Sequence, residues 1–193
     1  METGILILAA GSSSRLGEPK QLLKFNGKTL LRNVVEEAIK VSDFVIVVTG
    51  SIHSQISKEI EDLKVKIIEN INWNKGIGSS IKIGIIQLLN EFLEVKNIII
   101  SVCDQPFLET SVFLDLIQMQ KDSQKGIVAS KYSDTLGTPV LFTETYFKEL
   151  SELSGQEGAK KVLQKFKDDI AEINFEKGAI DIDTASDYQK LMQ

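Results

Sequence analysis

A loop near the start of the chain combines the residue types that bind phosphate. Residues 11–20 read Gly-Ser-Ser-Ser-Arg-Leu-Gly-Glu-Pro-Lys, so small side chains accompany two basic ones, Arg15 and Lys20. Small residues let the backbone approach a bound group closely, and successive N–H groups can then point at an anion. Because Arg and Lys add charge-assisted hydrogen bonds to phosphate oxygens, we predict a polyphosphate site here rather than a solvated surface loop.

The order of residues in this loop excludes two common phosphate-binding motifs. A Walker A loop ends in Gly-Lys-Ser/Thr, whereas Gly17 is followed here by Glu18 and Pro19. A dinucleotide-binding fingerprint needs the spacing G-x-G-x-x-G, whereas three serines separate Gly11 from Arg15. The loop therefore belongs to another class of phosphate-binding protein.

A second loop rich in Gly and Ser, residues 72–80, precedes a helical pattern that we expect to begin near Ile81. Ser79 or Ser80 is placed to cap that helix. The unpaired N–H groups of a first helical turn also favour a negative or hydrogen-bonding ligand. The residues alone favour the capping role, and a ligand-binding role stays open.

Asp104 follows an apolar run and precedes a proline turn, Gln105-Pro106. A carboxylate at a strand exit beside a phosphate site is a typical Mg²⁺ ligand, because Mg²⁺ prefers one or two carboxylates together with phosphate oxygens and water. An Asp before a turn can also simply form the turn. In the company of the first loop, we predict that Asp104 holds the metal.

Two further carboxylates lie near the end of the chain, in residues 180–187. If Ile180–Ile182 is a strand, alternation places Asp181 and Asp183 on the same side of it. Either could supply a second metal contact, and we select Asp183 as the metal ligand. Because Asp183 precedes Thr184 and a closing helical pattern, it could equally cap that helix.

The candidate residues follow short apolar runs that alternate with helical patterns. The predicted strands are Ile5–Leu8, Phe44–Val48, Val65–Ile68, Ile98–Val102, Ile127–Ala129, Val140–Phe142, Ile170–Phe175 and Ile180–Ile182. This alternation predicts an α/β fold with a doubly wound, mostly parallel sheet. In such sheets ligands bind beyond the carboxyl ends of the strands, which is where both loops and Asp104 fall.

Composition narrows the class of protein. A chain of 193 residues without an evident linker predicts one domain, residues 1–193. The net charge of −5 argues against a nucleic-acid surface, and no apolar run approaches the roughly 20 residues of a membrane span. Met1 leads almost directly into the first strand, without room for a secretory signal, so we expect a cytoplasmic protein. We expect Cys103, the only cysteine, to be a buried thiol.

Taken in order, these motifs resemble those of the molybdenum cofactor cytidylyltransferase family, within the MobA-like NTP-transferase superfamily. The resemblance extends from Ile5 to Asp187. It implies a nucleotide-diphospho-sugar transferase-like, Rossmann-like fold. It also implies Mg²⁺-dependent transfer of CMP from CTP to the terminal phosphate of molybdopterin, with release of pyrophosphate, and a molybdoenzyme as recipient. Guanylyl-transferring relatives have Gly at the position of Ala10 and Asp at the position of Pro19, which favours CTP here.

The resemblance also implies roles for individual residues. Arg15 and Lys20 would hold the triphosphate and Asp104 the Mg²⁺, which makes these three the predicted catalytic residues. Asp183 is the second predicted metal ligand. The predicted nucleotide-binding residues are Leu8, Ala9, Ala10, Gly11, Ser12, Ser13, Arg15, Lys20, Gly76, Ser79 and Ser80.

Two departures from the family pattern concern the acceptor. Asp134 replaces a glycine of Y-x-G-x-x-G-x-P. Gln156 replaces the Asp of G-D-x-G-A-R, and Lys160 replaces its Arg, keeping the charge without the bidentate fork. These changes leave two alternatives open: transfer to another phosphorylated metabolite such as a sugar phosphate, or a non-catalytic carrier that binds nucleotide or cofactor.

Overall fold

The computed structural model describes residues 2–13 and 16–192. The strands are β1 (Thr3–Ala9), β2 (Lys24–Phe25), β3 (Lys28–Thr29), β4 (Val45–Thr49), β5 (Lys66–Glu69), β6 (Asn97–Val102), β7 (Ile127–Tyr132), β8 (Thr135–Thr143) and β9 (Ile170–Asn174). The helices are α1 (Leu30–Ile39), α2 (His53–Glu59), α3 (Ile77–Glu91), α4 (Thr110–Ser123), α5 (Phe147–Ser151), α6 (Ala159–Lys165) and α7 (Ala185–Leu191). Across the described ranges, no helix combines the length and the apolar character that crossing a membrane requires.

One large sheet has the strand order β5-β4-β1-β6-β8-β7-β9, and β2 and β3 form a separate small hairpin. Strands β5, β4, β1 and β6 are parallel to one another. Strand β8 runs antiparallel between β6 and β7, and β9 is parallel to β7. The predicted α/β fold with a mostly parallel sheet is confirmed.

Strand β1 is buried along its whole length, and its side chains alternate between two layers of helices. Ile5 and Ile7 pack in a core with residues of α1 and α4. Leu6 and Leu8 pack in a second core with residues of α3 and α5. Helices on both faces are what a near-continuous apolar parallel strand requires. The chain therefore leaves the centre of the sheet at Ala10, between the two layers.

The predicted strand at Ile180–Ile182 is wrong, because the described segment 180–183 has no regular secondary structure. Ile182 is fully buried against Leu23 and Leu30, so the alternation reflects burial of one side chain rather than strand pairing. One backbone bond joins this segment to the end of β6, from Ile182 N to Asp104 O at 3.1 Å. That bond brings residues 181–183 beside the exit of β6.

The predicted closing helix is confirmed as α7, but Asp183 does not cap it. The N-cap is Thr184, whose hydroxyl oxygen accepts a hydrogen bond from Asp187 N at 3.2 Å. The Asp187 carboxylate in turn accepts from Thr184 N at 2.8 Å, which completes a capping box. Asp183 is thereby left outside the cap.

A buried tyrosine stabilises the edge of the sheet and offers a stability test away from the ligand loops. Tyr146 is 5% exposed and donates a hydrogen bond to Asp169 Oδ2 at 2.6 Å. Hydrogen bonds to charged groups contribute about 1.5–3 kcal/mol. We expect Tyr146→Phe to lower the free energy of unfolding, measured by urea denaturation, by about 2 kcal/mol.

Tyr188→Phe is the matched control, because Tyr188 is more exposed and donates to an uncharged acceptor, Lys24 O, at 2.8 Å. The Tyr188→Phe substitution should lower the free energy of unfolding by about 0.5 kcal/mol. Equal losses in the two variants would show that the contact with Asp169 contributes no more than an ordinary surface bond.

Candidate active site

A cavity of about 400 Å³ opens at the carboxyl ends of β1 and β6. The exit of β1, the exit of β6 and the loop before α3 form its walls. The lining residues are Leu8, Ala9, Ala10, Gly11, Ser12, Lys20, Gln21, Trp73, Asn74, Gly76, Ile77, Ser80, Val102, Cys103, Asp104 and Gln156. We call this the first cavity. The structure thus brings together most of the residues that the sequence predicts to bind nucleotide.

A lysine between two carboxylates is the main electrostatic feature of this edge of the sheet. Lys20 Nζ donates to Asp104 Oδ2 at 2.5 Å and to Asp183 Oδ1 at 3.0 Å. The side chains of Lys20 and Asp104 are only 17% and 16% exposed. Residues from three distant parts of the sequence therefore form one ionic cluster, which we call the Lys20 cluster.

Burial and charge act in opposite directions on this lysine. Burial alone would lower the pKa of Lys20. The negative charge of Asp104 and the hydrogen bonds that Lys20 donates to Asp104 and Asp183 outweigh the effect of burial and raise this pKa above its usual range. The ammonium therefore stays protonated at neutral pH. Burial and the charge of Asp104 raise the pKa of the Cys103 thiol to about 12. Cys103 is 3% exposed, which confirms the expectation of a buried thiol.

Gln21 holds the loop after β1 in shape, a role that the sequence analysis missed. Its side chain is 1% exposed, and Nε2 donates to Ala9 O at 3.0 Å and to Gly11 O at 2.8 Å. Gln21 Oε1 accepts from Ser13 Oγ at 3.2 Å, and that hydroxyl oxygen accepts from Lys20 N at 3.0 Å. Ser13 therefore supports the loop, and it is not found in the described lining of the first cavity.

Arg15, the other predicted cation of this loop, lies outside the described residues. Its predicted role in holding phosphate stays a prediction. Of the predicted catalytic residues, the structure therefore places Lys20 and Asp104 in direct contact.

The loop predicted at residues 72–80 ends earlier than the sequence indicates. Helix α3 begins at Ile77, four residues before the predicted start, so Ser79 and Ser80 lie within its first turn and neither is the N-cap. Asn70 Nδ2 donates to Ser79 Oγ at 2.9 Å and to Ser80 Oγ at 3.0 Å. Ser79 Oγ also lies 2.8 Å from Gly76 O. Ser80 lines the first cavity, whereas Ser79 connects the loop to the helix.

Gly76 fixes the path of this loop. Its φ of 105° lies in the left-handed region, and a Cβ there would lie 2.2 Å from Gly155 O. Gly155 O also accepts a hydrogen bond from Gly78 N at 3.0 Å. The first-turn N–H of Gly78 is thus paired with protein, and the ligand-binding role of this helix start stays a prediction.

A second cavity, of about 220 Å³, also has Asp104 in its lining. Its lining residues are Val102, Asp104, Gln105, Tyr132, Thr138, Gly178, Ala179 and Asp181. Val102 and Asp104 line both cavities. Burial, together with the charges of Asp104 and Asp183, raises the pKa of Asp181 above its usual range.

The three residues that the sequence analysis connected with the acceptor, Asp134, Gln156 and Lys160, are not among the lining residues of the second cavity. Gln156 lines the first cavity. Asp134 occupies the two-residue turn between β7 and β8, where Ser133 and Asp134 have φ values of 45° and 57°. Turns of this kind require positive φ, which Asp tolerates better than most residues, so the departure from glycine is a feature of the hairpin.

Residues 5–170 match the MobA-like NTP transferase domain. This chain belongs to the MobA-like NTP transferase family. The superfamily predicted from the ordered motifs is therefore confirmed. The preference for CTP stays a prediction.

Similar proteins of known name or structure agree with this family. "Probable molybdenum cofactor guanylyltransferase" from Bacillus cereus strain G9842 is 31% identical over 124 residues, which make up 64% of this chain and 59% of that protein. The match thus spans less than two thirds of that relative's length.

Solved structures confirm the fold over nearly the whole chain. Rv0371c from Mycobacterium tuberculosis H37Rv gives a TM-score of 0.82 at 26% identity, covering 99% of this chain and 97% of that one. Its complex with manganese gives a TM-score of 0.77 at 24% identity, covering 99% and 98% of the two chains. The nucleotide-diphospho-sugar transferase-like fold that the resemblance implies is confirmed.

The loop geometry predicts that Gly76→Ala will be destabilising. The added Cβ would contact the backbone oxygen of Gly155 at 2.2 Å, and the φ of 105° is strained for any other residue. We expect the free energy of unfolding, measured by urea denaturation, to fall by about 2 kcal/mol or more.

Gly11→Ala serves as the control, because a Cβ there has no atom within 4 Å. It should change the free energy of unfolding by no more than about 0.5 kcal/mol. A Gly76→Ala protein as stable as the Gly11→Ala protein would contradict the close packing of this loop.

Proposed function

We propose that this protein transfers CMP from CTP to the terminal phosphate of molybdopterin and releases pyrophosphate. The observation that carries the proposal is the Lys20 cluster, which lies where the two cavities meet. Membership of the MobA-like NTP transferase family supports a reaction of this class.

The two cavities suit the two substrates of such a transfer. In phosphoryl-type transfer the attacking and the leaving oxygens lie roughly in line, on opposite sides of the reacting phosphorus. Gly11, Ser12 and Lys20 line the first cavity, where they can receive the triphosphate and the departing pyrophosphate. The second cavity, which shares Val102 and Asp104 with the first, is then the place for the acceptor.

The carboxylates of the cluster fit a divalent metal. Asp104 and Asp183 both contact one ammonium nitrogen, so their oxygens are near neighbours. Two carboxylates, completed by phosphate oxygens and water, form the donor set that Mg²⁺ prefers. A metal ion held by Asp104 and Asp183 would neutralise charge on the phosphates. The manganese complex of the M. tuberculosis Rv0371c protein, which shares the fold, supports a divalent metal here.

The remaining work of the protein is to align the substrates and balance charge. Lys20 would share its charge between the carboxylates and the triphosphate, since two of its three N–H donors contact Asp104 and Asp183. The attacking group, a phosphate oxygen, is already anionic, so no general base is required. Catalysis would then come mainly from positioning and from electrostatic stabilisation.

Pyrophosphate release tests this proposal directly. Purified protein with Mg²⁺ and CTP should release pyrophosphate only when molybdopterin is added. Glucose 1-phosphate in place of molybdopterin tests the sugar-phosphate alternative. Binding of CTP without pyrophosphate release for either acceptor would contradict the transferase proposal and favour a carrier.

Asp104→Asn should abolish turnover, because the amide keeps the shape of the side chain but loses the charge that holds the metal. We expect kcat to fall by about 100-fold or more, with the melting temperature little changed. Asp115→Asn is the control, since Asp115 is exposed on α4 away from both cavities. Full activity of Asp104→Asn at low Mg²⁺ would place the metal elsewhere, with Asp181 the next residue to test.

The nucleotide preference is a separate prediction. Ala10 is 7% exposed and lines the first cavity, so its methyl group can limit the space for a purine. Steric exclusion of this kind discriminates more strongly than one apolar contact of about 1–3 kcal/mol. In competition binding with Mg²⁺ we expect CTP to bind at least about tenfold more tightly than GTP.

Ala10→Gly should reduce the ratio of CTP affinity to GTP affinity, because loss of the methyl group restores space for a purine base. The guanylyltransferase name of the B. cereus relative makes GTP the opposing outcome. Equal affinities, or tighter binding of GTP, would remove the cytidylyl assignment and leave the nucleotidyltransferase proposal in place.

A further inference from the structure

Gln105 is buried, and its side-chain amide has hydrogen-bond partners for the nitrogen but none for the oxygen. The residue is 4% exposed. Its Nε2 donates to Thr138 O and to Gly178 O, both at 3.0 Å. Gln105 Oε1 is, over residues 2–13 and 16–192, the one buried side-chain polar atom without a hydrogen-bond partner.

The contacts of Nε2 fix the orientation of this amide. A flipped amide would place Oε1 against the carbonyl oxygens of Thr138 and Gly178, which cannot donate. Oε1 can therefore only accept a hydrogen bond at its present position. A buried acceptor without a partner costs about 1–3 kcal/mol, so the site is incomplete without a donor.

The surroundings indicate a ligand larger than water. Gln105 lines the second cavity, whose volume of about 220 Å³ far exceeds what one water molecule occupies. Asp104 and Asp181 line the same cavity, so two carboxylates accompany the unpaired oxygen. These acceptor oxygens favour N–H and O–H groups on the part of a ligand that lies beside Gln105.

We propose that Gln105 selects the acceptor by receiving a hydrogen bond from an N–H or O–H group of its organic part. The inference rests on the proposed function, because it takes the second cavity as the acceptor site. The acceptor is then a phosphate ester that carries a neutral hydrogen-bond donor near its phosphate. A donor-free ester leaves Oε1 unpaired, and a site built to form a hydrogen bond discriminates against a ligand that lacks the group.

Binding measurements test this selection without relying on turnover. Isothermal titration, with Mg²⁺ and a non-hydrolysable CTP analogue present, compares molybdopterin and glucose 1-phosphate with ethyl phosphate, which has no donor in its organic part. In the wild-type protein we expect at least one donor-bearing ester to bind about tenfold or more tightly than ethyl phosphate. Gln105→Met should remove that advantage while the affinities for ethyl phosphate and the CTP analogue stay within about twofold.

Two controls separate selection from a merely structural role. Gln118→Met, on an exposed face of α4, should leave every affinity unchanged. If Gln105→Met fails to fold, the side-chain amide signals of Gln105 in ¹⁵N-labelled wild-type protein give the answer. They should shift on addition of a donor-bearing ester and not on addition of ethyl phosphate.

The results of these experiments distinguish a failure of the proposal for Gln105 from a failure of the transferase proposal. Equal weakening of all three esters in Gln105→Met, or amide signals that respond equally to all of them, would overturn the proposal and leave Gln105 as a clamp on Thr138 and Gly178. Selective binding without pyrophosphate release would support the proposal for Gln105 and contradict the transferase reaction alone.

Discussion

The contact of Lys20 with two carboxylates is the interaction on which the rest of the site depends. Asp104 and Asp183 would repel each other if brought together at a partly buried edge without a cation between them. The ammonium of Lys20, 2.5 Å and 3.0 Å from their oxygens, removes that repulsion. It thereby connects the loop after β1, the exit of β6 and the segment before α7. Asp104, which belongs to this cluster, lines both cavities.

Burial, hydrogen bonds and close packing of the surrounding residues hold the Lys20 cluster in place. Strand β1 is buried on both faces, so the loop that follows leaves the sheet at a fixed point. Gln21 then ties that loop back to Ala9 and Gly11 through their carbonyl oxygens. On the opposite wall, the left-handed Gly76 allows the loop before α3 to pack against Gly155. Preorganisation of this kind is what a reaction driven by alignment requires.

The sequence predicts the sheet and the first cavity well because both depend on local patterns. Apolar runs followed by small or charged residues identify a strand and its carboxyl end, which explains why the sequence indicates that Ala10, Lys20 and Asp104 lie at one edge of the sheet, as the structure has them. The strand predicted at residues 180–182 is wrong because one buried isoleucine between two Asp residues gives the same alternating pattern as a strand. The start of α3 was misplaced because Gly76 and Gly78, poor helix formers, lie at its beginning.

Other parts of the site depend on tertiary contacts that no local pattern reveals. The bonds of Gln21 and Gln105 are to backbone carbonyls, and for Gln105 these lie 33 and 73 residues away. Glutamine gives no signal of its own in a sequence, although both residues adjoin predicted catalytic ones, Lys20 and Asp104. Asp134 occupies a turn position with a φ of 57°, so the turn offers a second explanation for the departure from glycine, and its link to the acceptor stays a prediction.

The central claim is that the Lys20 cluster binds the triphosphate, and nucleotide affinity tests it most directly. Titration of CTP with Mg²⁺ into wild-type protein, Lys20→Ala and Lys24→Ala, all checked for folding by thermal melting, measures the contribution of Lys20. Lys24 is the control because it is exposed and does not line either cavity in the described structure. The account predicts that Lys20→Ala weakens CTP binding by about tenfold or more, since a charge-assisted hydrogen bond contributes about 1.5–3 kcal/mol, and that Lys24→Ala leaves it unchanged. Unchanged affinity in a folded Lys20→Ala protein would contradict it.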